Sequence, residues 1–219
     1  MSDRLILGIE TSGILCAVAW WQDDQMLLEY HLEMKNAHST VLADFIKKGH
    51  KALTIDARAV SLVAVAAGPG SFTGLRIGMA FAKGFCMGRG IPLVPVTNFE
   101  ILAALAAGNQ QVIYTLIEAR HGSYYTGIFR QKEGVLTEKF LAHKDKLAAE
   151  IPVNAEIIVH EEIQEGAFQS CLPGGRKVVQ GVYETSHLCK LGRRIFAEQP
   201  PIALDDVEPL YLQAFAGVL

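Results

Sequence analysis

The feature that most restricts how this chain can fold is an order of segments that occurs twice in its 219 residues. In the first half, Leu5 to Glu10, Leu15 to Trp21 and Met26 to Leu32 are short β-rich runs separated by "TSG" and "QDD", which reads as a three-strand meander. Behind it, "NAHSTVLADFIKKGHKAL" sets Val41, Leu42, Phe45, Ile46 and Gly49 at helical spacing after a Ser39 or Thr40 N-cap. Leu62 to Ala67 is a continuous apolar strand suited to a sheet covered on both faces. A glycine-rich turn, a helix over Ser71 to Arg89, a strand over Ile91 to Val96 and a helix over Asn98 to Ala107 follow. The second half repeats the order. Val112 to Ala119, Tyr124 to Arg130 and Val135 to Leu141 read as strands, His143 to Glu150 as a short helix, Glu156 to His160 as a strand and Thr185 to Ala197 as a helix. Even the turns that end the two first strands correspond, "GIETSG" in one half and "LIEARHG" in the other.

Two meanders, each followed by helices and further strands, predict an α/β protein of two lobes, residues 1–107 and 108–219, with "AAGN" at Ala106 to Asn109 as the boundary. Each lobe is a mixed sheet with packed helices, and the last segment is free to pack back on the first lobe. This is the outline of the actin-like (ASKHA, ribonuclease H-like) superfold, whose usual ligand lies between the lobes. With 50% hydrophobic and 20% charged residues, the chain can bury the core such a fold needs. No apolar run reaches the ~18 residues that span a bilayer, and the N-terminus lacks a signal-peptide pattern, so a cytoplasmic protein with no membrane association is expected. Cys16, Cys86, Cys171 and Cys189 are widely spaced without a C-x-x-C pair and read as reduced core thiols. A net charge of -3 does not describe a chain that holds nucleic acid by itself.

The stretch "AVAAGPGSFTGLRIGMAFAKG" carries the strongest local signal. Gly68, Gly70 and Gly74 stand between a strand and a helix, as in a dinucleotide-binding turn, but no Asp or Glu occurs between Asp56 and Glu100 to hold a ribose. The Walker pattern fails as well, since Gly74 is followed by Leu75 and Arg76. Two readings stand. Free N–H groups at a helix start, the hydroxyls of Ser71 and Thr73 and the nearby Arg76 make an anion-friendly corner. Alternatively, Pro69 and the glycines only make a tight turn with Ser71 as N-cap.

The helix behind the turn has few charges. Leu75, Met79 and Cys86 form one apolar stripe, and Ile77, Phe81 and Phe85 form another. Between them, Gly74, Gly78 and Ala82 at spacings of four let another backbone approach closely. One stripe covers the protein's own sheet; the other needs a second cover, either the helix at Val41 to Gly49 or a partner chain.

The motifs "ILGIETSG", "NAHS", "AGPGSFTGLRIGMAFAKGF", "IPLVPVTNFEIL", "LIEARHGSYYTGIF" and "EPLYLQ" closely resemble the bacterial TsaB (YeaZ) family over nearly the whole chain. The resemblance implies a two-lobed actin-like fold and a role in making threonylcarbamoyladenosine at position 37 of ANN-decoding tRNAs. It implies a non-catalytic paralogue of TsaD, the subunit that transfers the threonylcarbamoyl group. Such a protein binds TsaD through the two helices of its first lobe, TsaE joins the pair, and tRNA is reached only through the complex. Those helices would place His38, Val41, Leu42, Phe45, Leu75, Gly78, Met79, Phe81, Ala82 and Phe85 at the partner interface. The anion or nucleotide contacts would fall on Glu10, Thr11, Ser12, Ser71, Thr73 and Arg76.

Two departures bear on activity. Glu10, Thr11 and Ser12 replace the family's Asp-Thr-Ser and keep a carboxylate one methylene longer. The H-x-x-x-H metal pair of TsaD-like subunits corresponds to Asn98 and Leu102, which cannot complete such a site, so no metal and no catalytic residue is expected. Arg120 and His121 stand in the second lobe's turn, where they would crowd a phosphate or else pair with it as a charge, and little or no ATP hydrolysis by the isolated chain is expected. No cofactor is required, with weak nucleotide binding at the TsaD/TsaE assembly. Asp205, Asp206 and Glu208 read as a solvated turn before a final "LYLQ" strand. The leading expectation is therefore a scaffold and activator that forms a homodimer when alone. Its alternative is an enzyme acting by itself, an actin-like ATPase or kinase or a metallopeptidase-like hydrolase.

Overall fold

A computed structural model of the chain describes residues 4–33, 38–106, 112–119, 122–130, 135–160 and 178–212. They fall into two compact units. The described residues within Met1–Asn98, together with Glu184–Leu210, make the first; those within Phe99–Tyr183, together with Tyr211 and Leu212, make the second. The division therefore follows Asn98 rather than residue 107, and a C-terminal segment belongs to the first unit.

The first unit holds a five-stranded sheet of β1 (Leu5–Glu10), β2 (Leu15–Gln22), β3 (Gln25–Glu33), β4 (Val60–Ala66) and β5 (Leu93–Val96), in the order β3-β2-β1-β4-β5. The meander β1-β2-β3 is antiparallel, and β1, β4 and β5 run parallel. The two-residue loop between β2 and β3 has Asp23 and Asp24 at φ 50° and 61°, the left-handed conformation that a tight hairpin of this length requires. Period-two alternation sends Leu5, Leu7 and Ile9 of β1 into a core cluster shared with α1 (His38–Ala52) and α2 (Phe72–Met87). The other face of the same strand points to α5 (Thr185–Glu198), where a Cβ at Gly8 would meet Cys189. All six residues of β1 are consequently buried, which explains its unbroken apolar run.

Buried Leu188 and Cys189 pack α5 onto this unit, and polar contacts at its exposed edge add to them. The Arg193 guanidinium donates to Asp24 Oδ1 at 2.8 Å and Oδ2 at 3.2 Å, and it lies 4.9 Å from the Trp21 ring centroid. Beyond the helix, Val207 is buried in the core cluster, and the Leu210 N–H donates to Ala67 O at 2.7 Å. Leu210 to Leu212 form no strand, unlike the expected "LYLQ" segment. Asp205, Asp206 and Glu208 are exposed around a single 3-10 turn.

The second unit repeats the plan with β6 (Val112–Glu118), β7 (Ser123–Arg130), β8 (Val135–His143), β9 (Glu156–His160) and β10 (Val178–Gly181), in the order β10-β9-β6-β7-β8. Each sheet thus reads as a meander with two further parallel strands added beside its first strand. This is the duplicated, mixed-sheet α/β plan of the two-lobed actin-like fold. The sequence reading missed β10, which is only four residues long. The unit also contains α4 (Lys144–Glu150), while α3 (Asn98–Ala103) stops short of Ala107.

Cys16, Cys86 and Cys189 are free and buried, and burial pushes the first two thiols up to about 12; Cys171 lies outside the described residues. No described helix is long and apolar enough to cross a membrane.

Candidate functional site

The end of β1 and the start of α2 meet at one corner. Glu10, Thr11 and Ser12 are all buried there. Glu10 Oε1 accepts hydrogen bonds from both the N–H and the hydroxyl of Ser12, each at 2.5 Å. The Ser71 N–H donates to Ser12 O at 2.6 Å, and the Thr11 hydroxyl donates to Gly74 O at 2.8 Å. Ser71 is the N-cap of α2, its Oγ accepting the Gly74 N–H at 3.3 Å. Asn98 closes the corner from the third side. Its side-chain amide donates to Ser12 Oγ at 2.6 Å and Pro69 O at 2.9 Å, while its backbone N–H donates to Gly68 O at 2.9 Å. The Gly68-Pro69 peptide is cis, and Gly68 has φ 95°, a conformation that favours glycine.

The six residues expected around an anion divide into two groups. Glu10, Thr11 and Ser12 are buried and bonded to α2 or to each other, whereas Ser71, Thr73 and Arg76 are exposed. Arg76 lies over the Phe72 ring, 3.7 Å from its centroid. Of the two readings of "GPGSFTG", the Ser71 cap and tight turn describe this geometry. The glycine line of α2 also has a definite neighbour. A Cβ at Gly70 would strike Ser12 O, one at Gly74 would strike Thr11 O, and one at Gly78 would strike Thr11 Oγ1. The backbone that these small residues admit is the chain's own.

That orientation sorts the expected interface residues. Leu75, Gly78, Met79, Ala82 and Phe85 of α2 are buried, as are His38 and Leu42 of α1. They form the underside of the helix pair, packed against the chain's own residues. His38 begins α1, so Ser39 and Thr40 sit in its first turn rather than capping it. The His38 Nε2 is 3.2 Å from Leu15 O, which can only accept, so the ring serves as a donor to packing. Val41, Phe45, Ile77 and Phe81 are half-buried. The second apolar stripe of α2 finds its cover partly on α1, where His50 stacks on Phe85 with centroids 6.3 Å apart and also meets the Trp20 ring edge-on at 5.6 Å. The outward line of α2 comprises Thr73, Arg76, Ala80, Gly84 and Met87, all exposed, with Arg76 its one charge and Met87 67% exposed.

Asn98 and Leu102, where the metal pair was sought, are both fully buried, and the Asn98 amide nitrogen is hydrogen-bonded as described. No group of three potential metal ligands occurs among the described residues. Arg120 and His121 lie outside them. Sequence reading did not identify Asn98 as the residue that locks the corner; its position one residue past a strand and at the start of a helix was the available signal.

Comparison with known proteins gives consistent matches. Residues 32–183 match the family model of TsaD, tRNA N6-adenosine threonylcarbamoyltransferase. The TsaB tRNA threonylcarbamoyladenosine biosynthesis protein of Bacillus subtilis is 32% identical over 133 residues, which cover 61% of this chain and 58% of that protein. The match thus spans less than two thirds of the Bacillus relative. TsaB of Escherichia coli is 25% identical over 229 residues, covering 95% of this chain and 94% of that protein. The solved structure of YeaZ from Pseudomonas aeruginosa superposes with a TM-score of 0.79 at 20% identity, covering 95% of this chain and all of that one.

Proposed function

The chain belongs to the TsaD (tRNA N6-adenosine threonylcarbamoyltransferase) family, on its TsaB (YeaZ) branch, and from that premise we propose that it is a non-catalytic subunit in tRNA threonylcarbamoyladenosine biosynthesis. In this role it binds the catalytic TsaD paralogue and stabilises its active arrangement. TsaE joins the pair, tRNA is engaged only within the complex, and the assembly works in the cytoplasm. No cofactor is required by the chain itself, nucleotide binds weakly where TsaD and TsaE assemble, and the isolated chain pairs with itself.

The observation that carries this reading is the filled corner. In a phosphate-binding turn, backbone N–H groups at the helix start face the ligand. Here the Ser71 N–H donates to Ser12 O, and the Gly74 N–H to the Ser71 cap. The same contacts set α2 at a fixed angle on the sheet. Beyond Arg76, the outward line of Ala80, Gly84 and Met87 is uncharged and offers a partner a surface with little polar desolvation cost, and the exposed small residues permit close helix approach.

The test is reconstitution. The tRNA modification rate is measured with TsaD, TsaE, the supply of threonylcarbamoyl-AMP and tRNA, with and without this chain. Omission should abolish or strongly reduce modification, and an unchanged rate would defeat the activator reading. ATP turnover by the purified chain alone, abolished in Glu10→Ala, would favour the independent-enzyme alternative instead.

A further inference from the structure

Charge is distributed very unevenly along this chain. Between His38 and Phe99 there are seven Lys or Arg and only two Asp, while the rest of the chain has 13 Lys or Arg against 21 Asp or Glu. The helix-bearing segment therefore carries a surplus of five positive charges inside a net-negative protein. Such asymmetry is the electrostatic footprint of a polyanion-binding face.

The cations collect at one end of the helix pair. His50 stacks on one side of the Phe85 contact network, and Arg89 lies over the Phe85 ring at 3.8 Å, with its Nη1 donating to Phe85 O at 3.1 Å. Lys51 adjoins His50, and Lys47 stands one helical turn before Lys51 on the same face of α1. Arg58 follows in the 3-10 turn that leads from α1 into β4. Lys47, Lys51, Arg58 and Arg89 are all exposed. The two acids of the segment are already engaged nearby, Asp44 with Lys48 at 2.7 Å and Asp56 with the Arg58 backbone N–H at 2.7 Å. Compensation of helix dipoles accounts for cations in a last turn, as at Lys51. It does not account for Lys47 or Arg58, nor for the lack of any acid from Ala57 to Phe99.

We propose that this edge, formed by Lys47, Lys51, Arg58 and Arg89, contacts the phosphate backbone of tRNA within the complex. The inference rests on the reading above and adds to it: the chain contributes part of the RNA-binding surface besides activating its paralogue. Lys47 and Lys51, with Cβ atoms roughly 6 Å apart, can neutralise neighbouring phosphates. Arg89, anchored through one N–H, presents a planar guanidinium suited to phosphate oxygens. These are contacts without sequence information; they add affinity and register, not base choice.

The test compares the complex containing the wild-type chain with one containing Lys47→Glu, Lys51→Glu and Arg58→Glu together. Binding of a transcribed ANN-decoding tRNA is followed by anisotropy across a KCl series, and TsaD co-purification is measured in parallel. The expected result is intact TsaD binding, tRNA affinity reduced on the order of tenfold or more at low salt, and a log K against log salt slope shallower by about two to three. The charge-preserving Lys47→Arg/Lys51→Arg variant should behave as wild type. Unchanged affinity and slope would overturn the inference. So would loss of TsaD binding in the charge-reversed variant, because the edge would then serve an acidic protein surface. Should the wild-type chain fail to bind TsaD, the proposed function falls. The inference, which concerns tRNA within that complex, then falls with it, an outcome distinct from intact TsaD binding with unchanged tRNA affinity, which overturns the inference alone.

Discussion

The backbone N–H of Ser71 donates to the carbonyl of Ser12 at 2.6 Å, so the residue that caps α2 is bound to the turn that leaves β1. This bond joins positions 59 apart in sequence and sets the depth at which α2 rests on the sheet. The glycine line below it follows as a requirement of contact.

Glycines on one helix should therefore respond in opposite senses. Gly74→Ala puts a methyl against Thr11 O, a main-chain atom that cannot swing aside, and should cost about 3 kcal/mol, the upper end of overpacking penalties. Gly84→Ala meets nothing within 4 Å and should stabilise by about 0.5–1 kcal/mol through helix propensity. Chemical denaturation of the two variants checks both signs.

Partner binding should be blocked from the outer line of α2 without loss of the fold. Gly84→Glu or Ala80→Glu is expected to lower TsaD affinity by on the order of tenfold or more, about 1.4 kcal/mol, with thermal stability retained. Met79→Glu would bury a carboxylate in the core and should unfold the first unit. If Gly84→Glu and Ala80→Glu both bind TsaD normally, the outer line is not the interface.

Asn98→Ala removes two amide hydrogen bonds from a buried corner and leaves Pro69 O without that donor. A loss of about 2–3 kcal/mol is expected. Asn98→Asp should be worse at neutral pH, because a carboxylate would face the Pro69 carbonyl, and the gap should narrow in acid. Urea unfolding at two pH values separates this from a simple volume effect, which would leave the two variants with a pH-independent difference.

Burial, and secondarily the Arg89 guanidinium, hold the His50 imidazole below its ordinary value of 6.5, with Asp56 opposing them. A depressed histidine favours the folded state while it is neutral. Its contribution is complete above about pH 6.5 and is lost as pH falls from there toward the lower folded value, because the unfolded chain binds the proton first. Melting temperature should decline over that window, and the decline should be reduced in His50→Phe. Equal profiles for the two proteins would show that His50 does not contribute.

Much of the architecture is legible in the sequence because it is local. The meanders, the two-sided apolar run of β4 and the Ser71 cap each arise from residue types at short spacing, so periodicity and capping chemistry reveal them. The short β10 carries too few residues for a periodic signal, and the "LYLQ" segment alternates like a strand yet pairs with none through Leu212.

The sequence by itself determined that α2 has two apolar stripes and a line of small residues, since 3.6-residue periodicity is a property of the segment. Only the tertiary structure decided what each surface meets. Gly74 and Gly78 receive Thr11, Phe85 goes under α1 beside His50, and Ala80 and Gly84 remain outside. In the same way, the sequence read Thr185 to Ala197 as a helix, but its place on the first unit is set by buried Leu188 and Cys189 and by Gly192 against Ala64, with Arg193 reaching Asp24 across 169 positions at the exposed edge. Periodicity records that a face is buried; the neighbour is chosen by shape and charge complementarity between segments that the chain order leaves far apart.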